Sequence, residues 1–453
     1  MDDPLRQLYE SRDYPAMSHP SSDPAVTAVA ARLAGLGVRP PSGARILELG
    51  CGSGHNLIPL AQRWPRSRFL GVDFSGRAVS LARDLAGAAG LGNCEFREAD
   101  IREFDAGNEQ FDYIIAHGLF SWVADDVKAA IFAICAHSLA EDGLVTVSFN
   151  SWAGWEKRMP VIEKVRAIME AGAENEVRAL EILKTVVEAG SEEELIANDM
   201  LAKGREILPF DDFAPINEPW TLENFVKAAD GTGFRWLGDS EPGGNLPQGL
   251  PETTVEQLAP LANNPLALQT AADRELAREF RSVILCRKER PVNSQVNLKE
   301  LMDMSVGFRF PTDSPPGLGD HILTILKNNR GCIPVWELVA DLSFRDQREA
   351  LRQVVIAIQD GTLKARIEPL RIAEDVPERP KLDEFRMECA KWRLPLVDAW
   401  HVACRFPARH HGVLERMDGS MTIGELEEFA GKRCPNLDVR PWLAHLAERG
   451  MFV

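Results

Sequence analysis

Between residues 48 and 54 the chain reads Glu-Leu-Gly-Cys-Gly-Ser-Gly, and this is the stretch whose residue types and spacing suit chemistry most clearly. Glycine lets a backbone turn sharply and approach a ligand closely. A helix starting just after such a turn adds unpaired N–H groups and the positive end of its dipole. The expected ligand is therefore nucleotide-like, held where a strand passes into a helix. Asp73 follows about 20 residues after the last glycine, where a carboxylate meets ribose hydroxyls. Its alternative role is to cap the helix beginning near Ser75. Glu98-Ala99-Asp100-Ile101 supplies another acid at the place of an adenine amino group, or else a solvated loop acid. No Gly-x-x-x-x-Gly-Lys-Ser/Thr loop is present, so a nucleoside triphosphate has no evident cradle.

These residues need elements to hold them, and the first third of the chain provides an alternation of short apolar runs and helical stretches. Strands are expected at Arg45–Leu49, Phe69–Asp73, Glu95–Arg97, Phe111–Ala116 and Gly143–Phe149. Helices are expected at Asn56–Trp64 and from a Ser75 cap towards Ala89. The result is a parallel βαβαβ arrangement. From about Trp155 the pattern turns to long helical periodicity, interrupted at Pro209–Trp220. Gly243–Pro251 reads as a loop and Pro291–Pro316 as an extended linker. Beyond it, helices at His321–Lys327, Pro334–Leu342 and Arg345–Gln359 and a strand at Thr362–Ile367 suggest a winged-helix-like unit. The expected division is 1–160, 161–290 and 291–453.

With 453 residues and 45% hydrophobic content the chain can bury more than one core. Its 51 basic and 68 acidic residues leave a net charge of -17, which repels nucleic acid and attracts a cationic acceptor. The eight cysteines are scattered without a C-x-x-C pair, so no metal is expected and a reducing, cytoplasmic setting is. No apolar run is long enough to span a membrane.

The E-x-G-x-G-x-G spacing resembles class I methyltransferases rather than dinucleotide dehydrogenases. Together with ELGCGSGHNLIPL (48–60), FDYIIAHGLFSWV (111–123), SFNSWAGW (148–155) and PINEPWTLENF (215–225), it is similar to bacterial methyltransferases that carry a methyltransferase regulatory domain. That family includes rickettsial lysine methyltransferases acting on outer-membrane proteins. The resemblance covers residues 9–290, and more weakly the segments 410–414 and 417–419. It implies a Rossmann-like class I domain, a helical regulatory or substrate domain and a mixed C-terminal winged-helix-like domain. It implies S-adenosyl-L-methionine as cofactor, S-adenosyl-L-homocysteine as product, and cofactor contacts at Glu48, Gly50, Cys51, Gly52, Asp73, Phe74, Asp100, Ile101 and His117. The segment Tyr9–Pro20 fits as a lid. Phe149 and Trp152 stand where relatives generally show tyrosines, so no phenol hydroxyl acts there.

Methyl transfer from a sulfonium is an in-line displacement that mainly needs alignment and exclusion of water. His117, Trp122 and Asn150, at or after the ends of the fourth and fifth strands, are the candidate catalytic residues, because a doubly wound sheet presents its ligand-facing groups there. His117 is either a proton acceptor or a hydrogen-bonded structural residue, and the aromatic rings either hold a cation or fill a core. Glu218 either faces the acceptor or belongs to a helix-capping turn. The acceptor expected is a protein lysine, with a small-molecule O- or N-methyltransferase as alternative. A cofactor-binding regulator contacting DNA is the reading from another class, and the acidic charge opposes it. A homodimer is one admissible assembly.

Overall fold

The computed structural model describes residues 4–245, 250–293, 297–309 and 317–453. Residues 246–249 of the expected loop at Gly243–Pro251, and 294–296 and 310–316 of the expected linker at Pro291–Pro316, lie outside the described residues; between them the linker is not extended but forms a short helix at Leu298–Met302 and a strand at Ser305–Gly307. The architecture is built on a seven-stranded sheet of order β3-β2-β1-β4-β5-β7-β6. Its strands are β1 (Arg45–Leu49), β2 (Arg68–Asp73), β3 (Cys94–Glu98), β4 (Phe111–Ala116), β5 (Leu139–Asn150), β6 (Phe234–Asp239) and β7 (Phe280–Arg287). The first five run parallel, and β7 lies antiparallel between β5 and β6. Ile46, Leu47 and Leu49 are fully buried, as a central parallel strand covered by helices on both faces requires.

The helices before and within this sheet are α1 (Pro4–Ser11), α2 (Pro24–Leu33), α3 (Ile58–Arg63), α4 (Gly76–Ala88) and α5 (Asp125–Ser138). Ser75 caps α4 as expected, its Oγ accepting from the Ala78 N–H at 3.3 Å. Gly71 in β2 is set by packing: a Cβ there would lie 2.7 Å from the Phe96 ring and 2.8 Å from the Cys51 sulfur.

The stretch 161–290, expected to be helical, is divided differently. Only α6 (Trp152–Glu170), α7 (Glu176–Val186) and α8 (Glu192–Lys203) form a helical insertion, with its own core of Trp155, Ile162, Val165, Leu180 and Met200. The chain then returns to the first sheet as β6 and β7, so a boundary near 160 does not separate two bodies. The run Ser282-Val283-Ile284-Leu285-Cys286 was the available strand signal, of strand length and rich in β-branched residues. The C-terminal part is mixed, as expected. Strands β8 (Ser305–Gly307), β9 (Gly331–Pro334), β10 (Lys364–Arg366) and β11 (Leu370–Arg371) form a sheet of order β10-β8-β9-β11, followed by four helices between 384 and 448. The two strands after the helix Phe344–Gln359 pair with β8 and β9 instead of closing a wing hairpin on each other. One apolar core runs from α2 and α4 through Leu338 and Val354 to Phe385 and Leu443, so the C-terminal part is packed onto the sheet's helical layer.

Two buried arginines bolt these pieces together. Arg158 of α6 reaches Asp212 at 2.9 Å and both Asp199 and Glu279 at 2.7 Å. Arg281 of β7 has a fully buried side chain and meets Asp239 at 2.5 Å, Asp273 at 2.6 Å and Gln269 at 2.9 Å. Removing one partner of a buried ion network strands the remaining charges in low dielectric. Arg281→Leu is expected to lower unfolding free energy by about 3–5 kcal/mol, read from denaturant titration. A loss below about 1 kcal/mol would show that the network adds nothing beyond its shape.

Candidate functional site

The glycine loop leaves β1 with the Gly50 and Cys51 N–H groups both donating to Val72 O, at 2.8 and 3.1 Å, which ties the turn to the end of β2. Gly52 has φ +51° and open space where a Cβ would stand, so a side chain there would enter the pocket. Gly54 has φ +73°, and a Cβ on it would come within 2.7 Å of the Phe96 ring. The first constraint serves a ligand and the second serves packing.

Two carboxylates flank this loop. Asp73 at the end of β2 accepts from the Gly52 N–H at 2.8 Å and the Ser75 N–H at 2.9 Å, so it orders the loop and the next helix turn together. Burial is the main influence on it and raises its pKa. Glu48 is buried and accepts from Asn56 Nδ2 at 2.7 Å through Oε1. Its Oε2 is buried without a partner. Desolvation first, opposed by the Asn56 hydrogen bond and reinforced by Asp73, pushes the Glu48 carboxyl up to about 8. A buried carboxylate oxygen with nothing to accept from is suited to a cation.

The pocket wall contains Glu48, Gly50, Cys51, Gly52, Asp73 and Phe74 together with Ile101, His117 and Trp122. Asp100 is a correction to the sequence reading. Its carboxylate is turned to Arg102, at 2.7 and 3.0 Å, and lies outside the wall, because an arginine two residues on offers a fork that matches both oxygens. Asn150 is a second correction. At the end of β5 its Nδ2 donates to Asn217 Oδ1 at 2.9 Å, away from the pocket. Glu218 pairs with the buried Lys128 and likewise does not face the ligand space. Phe149 stacks on Phe225 at 4.5 Å inside the core, where a phenol hydroxyl would need a partner.

The segment expected as a lid lines one side of the pocket. Tyr9 packs edge-on to Phe74 at 5.7 Å and tilts against Phe210 at 5.1 Å, and the Arg6 guanidinium lies over Phe74 at 5.5 Å. Leu5, Tyr14, Met17 and His19 complete that side. His19 stacks on His117 with ring centroids 4.0 Å apart. His117 Nε2 meets Ser21 Oγ at 3.1 Å, and its ring also tilts against Phe280 at 5.5 Å, a residue 42% exposed. Burial, with His19 and His401 nearby, holds the His117 pKa well below the usual histidine value, and burial alone lowers His19 to about 4. Both rings are uncharged and weakly basic at neutral pH.

Sequence reasoning missed Asn56, His55 and His401, whereas His19 belongs to the segment expected as a lid. His55 and Asn56 stand in the quoted glycine string, one and two residues past Gly54, where polar types facing a ligand were a usable signal. His401 had none, because it comes from the far end of the chain.

Residues 46–143 match the family described as a methyltransferase domain, and residues 204–287 match a predicted methyltransferase regulatory domain. The chain is similar to two uncharacterised proteins of Rickettsia prowazekii strain Madrid E. One is 27% identical over 68% of this chain and 57% of its own length; the other is 30% identical over 34% and 62%. The chain thus spans less than two thirds of these relatives. The chain is also 38% identical to trans-aconitate 2-methyltransferase of Streptomyces coelicolor over 98 residues, 21% of this chain and 31% of that protein. The fold matches PKMT2 from Rickettsia typhi with a TM-score of 0.83 at 20% identity, covering 97% of this chain and 100% of that one. The same protein in complex with AdoHcy matches at 0.82 and 20% identity, over 97% and 99%. The N-terminal domain is a class I methyltransferase domain, and S-adenosylmethionine is its cofactor. The residues present fit that group: Glu48 Oε2 for the ammonium, Gly52 for close backbone approach, Asp73 for the ribose and Ile101 with Phe74 as an apolar wall.

Because Glu48 must be ionised to hold a cation, binding releases a proton wherever the free carboxyl is protonated. Affinity for S-adenosylhomocysteine is expected to rise from pH 6 and level off above about 8, with a slope of at most about tenfold per pH unit. Glu48→Gln is expected to bind weakly with a flat profile over this range. Calorimetry in buffers of different ionisation heat reads both, and a flat wild-type profile with no proton release would refute this role for Glu48.

Proposed function

We propose that this chain, which carries an S-adenosylmethionine-dependent class I methyltransferase domain, transfers methyl groups to the side-chain amines of lysines in a protein substrate. The observation that carries the acceptor reading is the stacking of the His117 and His19 rings, 4.0 Å apart, with no carboxylate among the described residues hydrogen-bonded to either. The rings on the wall after β4 are neutral and weakly basic, so they are poor bases for a hydroxyl acceptor, which needs a strong one. An amine needs only to lose its own proton. At pH 7 that costs a lysine about 4.6 kcal/mol from a reference pKa of 10.4, and an apolar wall together with the positive sulfonium lowers the cost by disfavouring a second cation.

In this reading His117 and His19 present an uncharged face to the incoming amine, Phe280 leads from the surface to His117, and Trp122 closes the wall edge-on to Trp155 at 6.1 Å. The lid excludes water. The resemblance to rickettsial lysine methyltransferases and the net charge of -17 agree with a cationic protein acceptor. The 38% match to a methyltransferase of a small acid favours a second reading, a small-molecule acceptor. That match covers only 21% of this chain.

Incubation with labelled S-adenosylmethionine and cell-envelope proteins, followed by mass spectrometry, is expected to place label on lysine side chains. The rate is expected to rise with pH above 7 without an inflection near 6.5, since neither histidine titrates there. Label confined to small metabolites across a broad protein panel would overturn the lysine reading in favour of the second.

A further inference from the structure

The buried polar cluster behind Glu48 contains a residue from the other end of the chain. His401 is fully buried, and its Nε2 lies 2.8 Å from Asn56 Oδ1. The orientation of the Asn56 amide follows from its neighbours. The His19 backbone N–H, 2.9 Å away, can only donate, so the atom facing it is Oδ1. Nδ2 then faces Glu48 Oε1 at 2.7 Å, with Ser22 Oγ at 3.0 Å as a further acceptor. Since Oδ1 accepts, His401 Nε2 must carry the proton, and its Nδ1 is left buried without a partner.

The backbone at this point is strained. His401 has φ +64°, one of three non-glycine residues with positive φ among the described residues. The turn is over-determined by its surroundings. The His401 N–H donates to Asp398 O at 3.0 Å, the Val402 N–H to Asp398 Oδ1 at 2.9 Å, and Arg449 pairs with Asp398 at 2.7 Å. Around it the C-terminal part grips the helix after the glycine loop. His55 Nε2 meets Pro395 O at 2.7 Å, Arg63 reaches Ala399 O at 2.7 Å, and the Phe385 N–H donates to Gln62 at 3.0 Å. Strain held in place by dedicated contacts marks a residue whose position matters.

We propose that His401 is a positioning residue for the cofactor site: donating to Asn56 Oδ1, it fixes the amide that holds Glu48, so that the C-terminal part completes the pocket for the cationic amino-acid end of the cofactor. The proposal rests on the reading of Glu48 as the ammonium partner. His401 touches neither cofactor nor substrate; it acts through Asn56. Without it, Asn56 Oδ1 keeps the His19 N–H and the amide is freer to turn, which leaves Glu48 Oε1 without its donor and its carboxylate free to leave the aligned geometry.

The test compares two ligands on the full chain. S-adenosylhomocysteine carries the amino-acid end, and 5′-methylthioadenosine shares the adenosine and thioether but lacks it. His401→Leu removes the donor, while His401→Gln keeps an N–H at a similar reach, and both bear the same left-handed strain. Calorimetry is expected to show S-adenosylhomocysteine binding weakened about tenfold in His401→Leu and within about threefold of wild type in His401→Gln, as for loss and retention of one buried hydrogen bond. The affinity for 5′-methylthioadenosine is expected to be unchanged in both. Should His401→Leu fail to fold, His401→Gly makes the same comparison, because glycine relieves the left-handed strain. Equal weakening of both ligands, or no difference between the Leu and Gln variants, would overturn the positioning role while leaving the methyltransferase reading intact. A wild-type chain that does not bind S-adenosylhomocysteine would overturn both.

Discussion

A carboxylate placed inside an apolar sheet has to be held by donors, and the hydrogen bond from Asn56 to Glu48 meets that demand. Much of the site's surroundings follows from it. The Asn56 oxygen is engaged on the other side by groups from the lid segment and from the C-terminal part. One side chain of the glycine-loop region is thereby the meeting point of three stretches of chain. Glu48 keeps one oxygen unengaged as a result, and that oxygen is the most distinctive chemical feature of the pocket.

The same economy governs the neighbouring charges. Asp23, fully buried, is held by Arg63 of α3 at 2.9 Å and by Arg366 of β10 at 3.2 Å. Opposite charge from these arginines, together with the Ala25 N–H, outweighs burial and keeps its pKa low. Glu368 likewise spans the boundary, accepting from Trp64 Nε1 at 2.6 Å and the Ser42 N–H at 3.1 Å. The C-terminal part is therefore joined to the methyltransferase domain by polar contacts, in addition to the shared apolar core. A broken contact there would leave an unsatisfied group inside the protein, which couples the docking of the two parts to the geometry of the loop.

The acceptor side is built on a different principle. His19 and His117 stack face to face with no carboxylate to charge them, so burial decides their state and both remain neutral. An uncharged, water-poor wall does not help to ionise a hydroxyl, and it removes the solvation that keeps an amine protonated. Glu218 is paired with Lys128 and Glu279 with Arg158. Chemistry at this wall thus depends on alignment and desolvation.

What the sequence by itself determined is the local part of this machinery. The strand, glycine turn and capped helix around residues 45–88 were legible because apolar periodicity, the conformational freedom of glycine and the serine cap act over a few residues. The same holds for β4, and His117 just after it lines the pocket together with residues of the 9–20 segment. Strands β6 and β7 were not legible as sheet members, since an apolar run does not announce which sheet it joins. Tertiary structure alone decided that Asn150 would be held by Asn217 and that His401 would meet Asn56 across 345 residues. A buried polar atom takes whichever partner packing brings within about 3 Å, and that choice is made by the whole fold and not by neighbours in the chain.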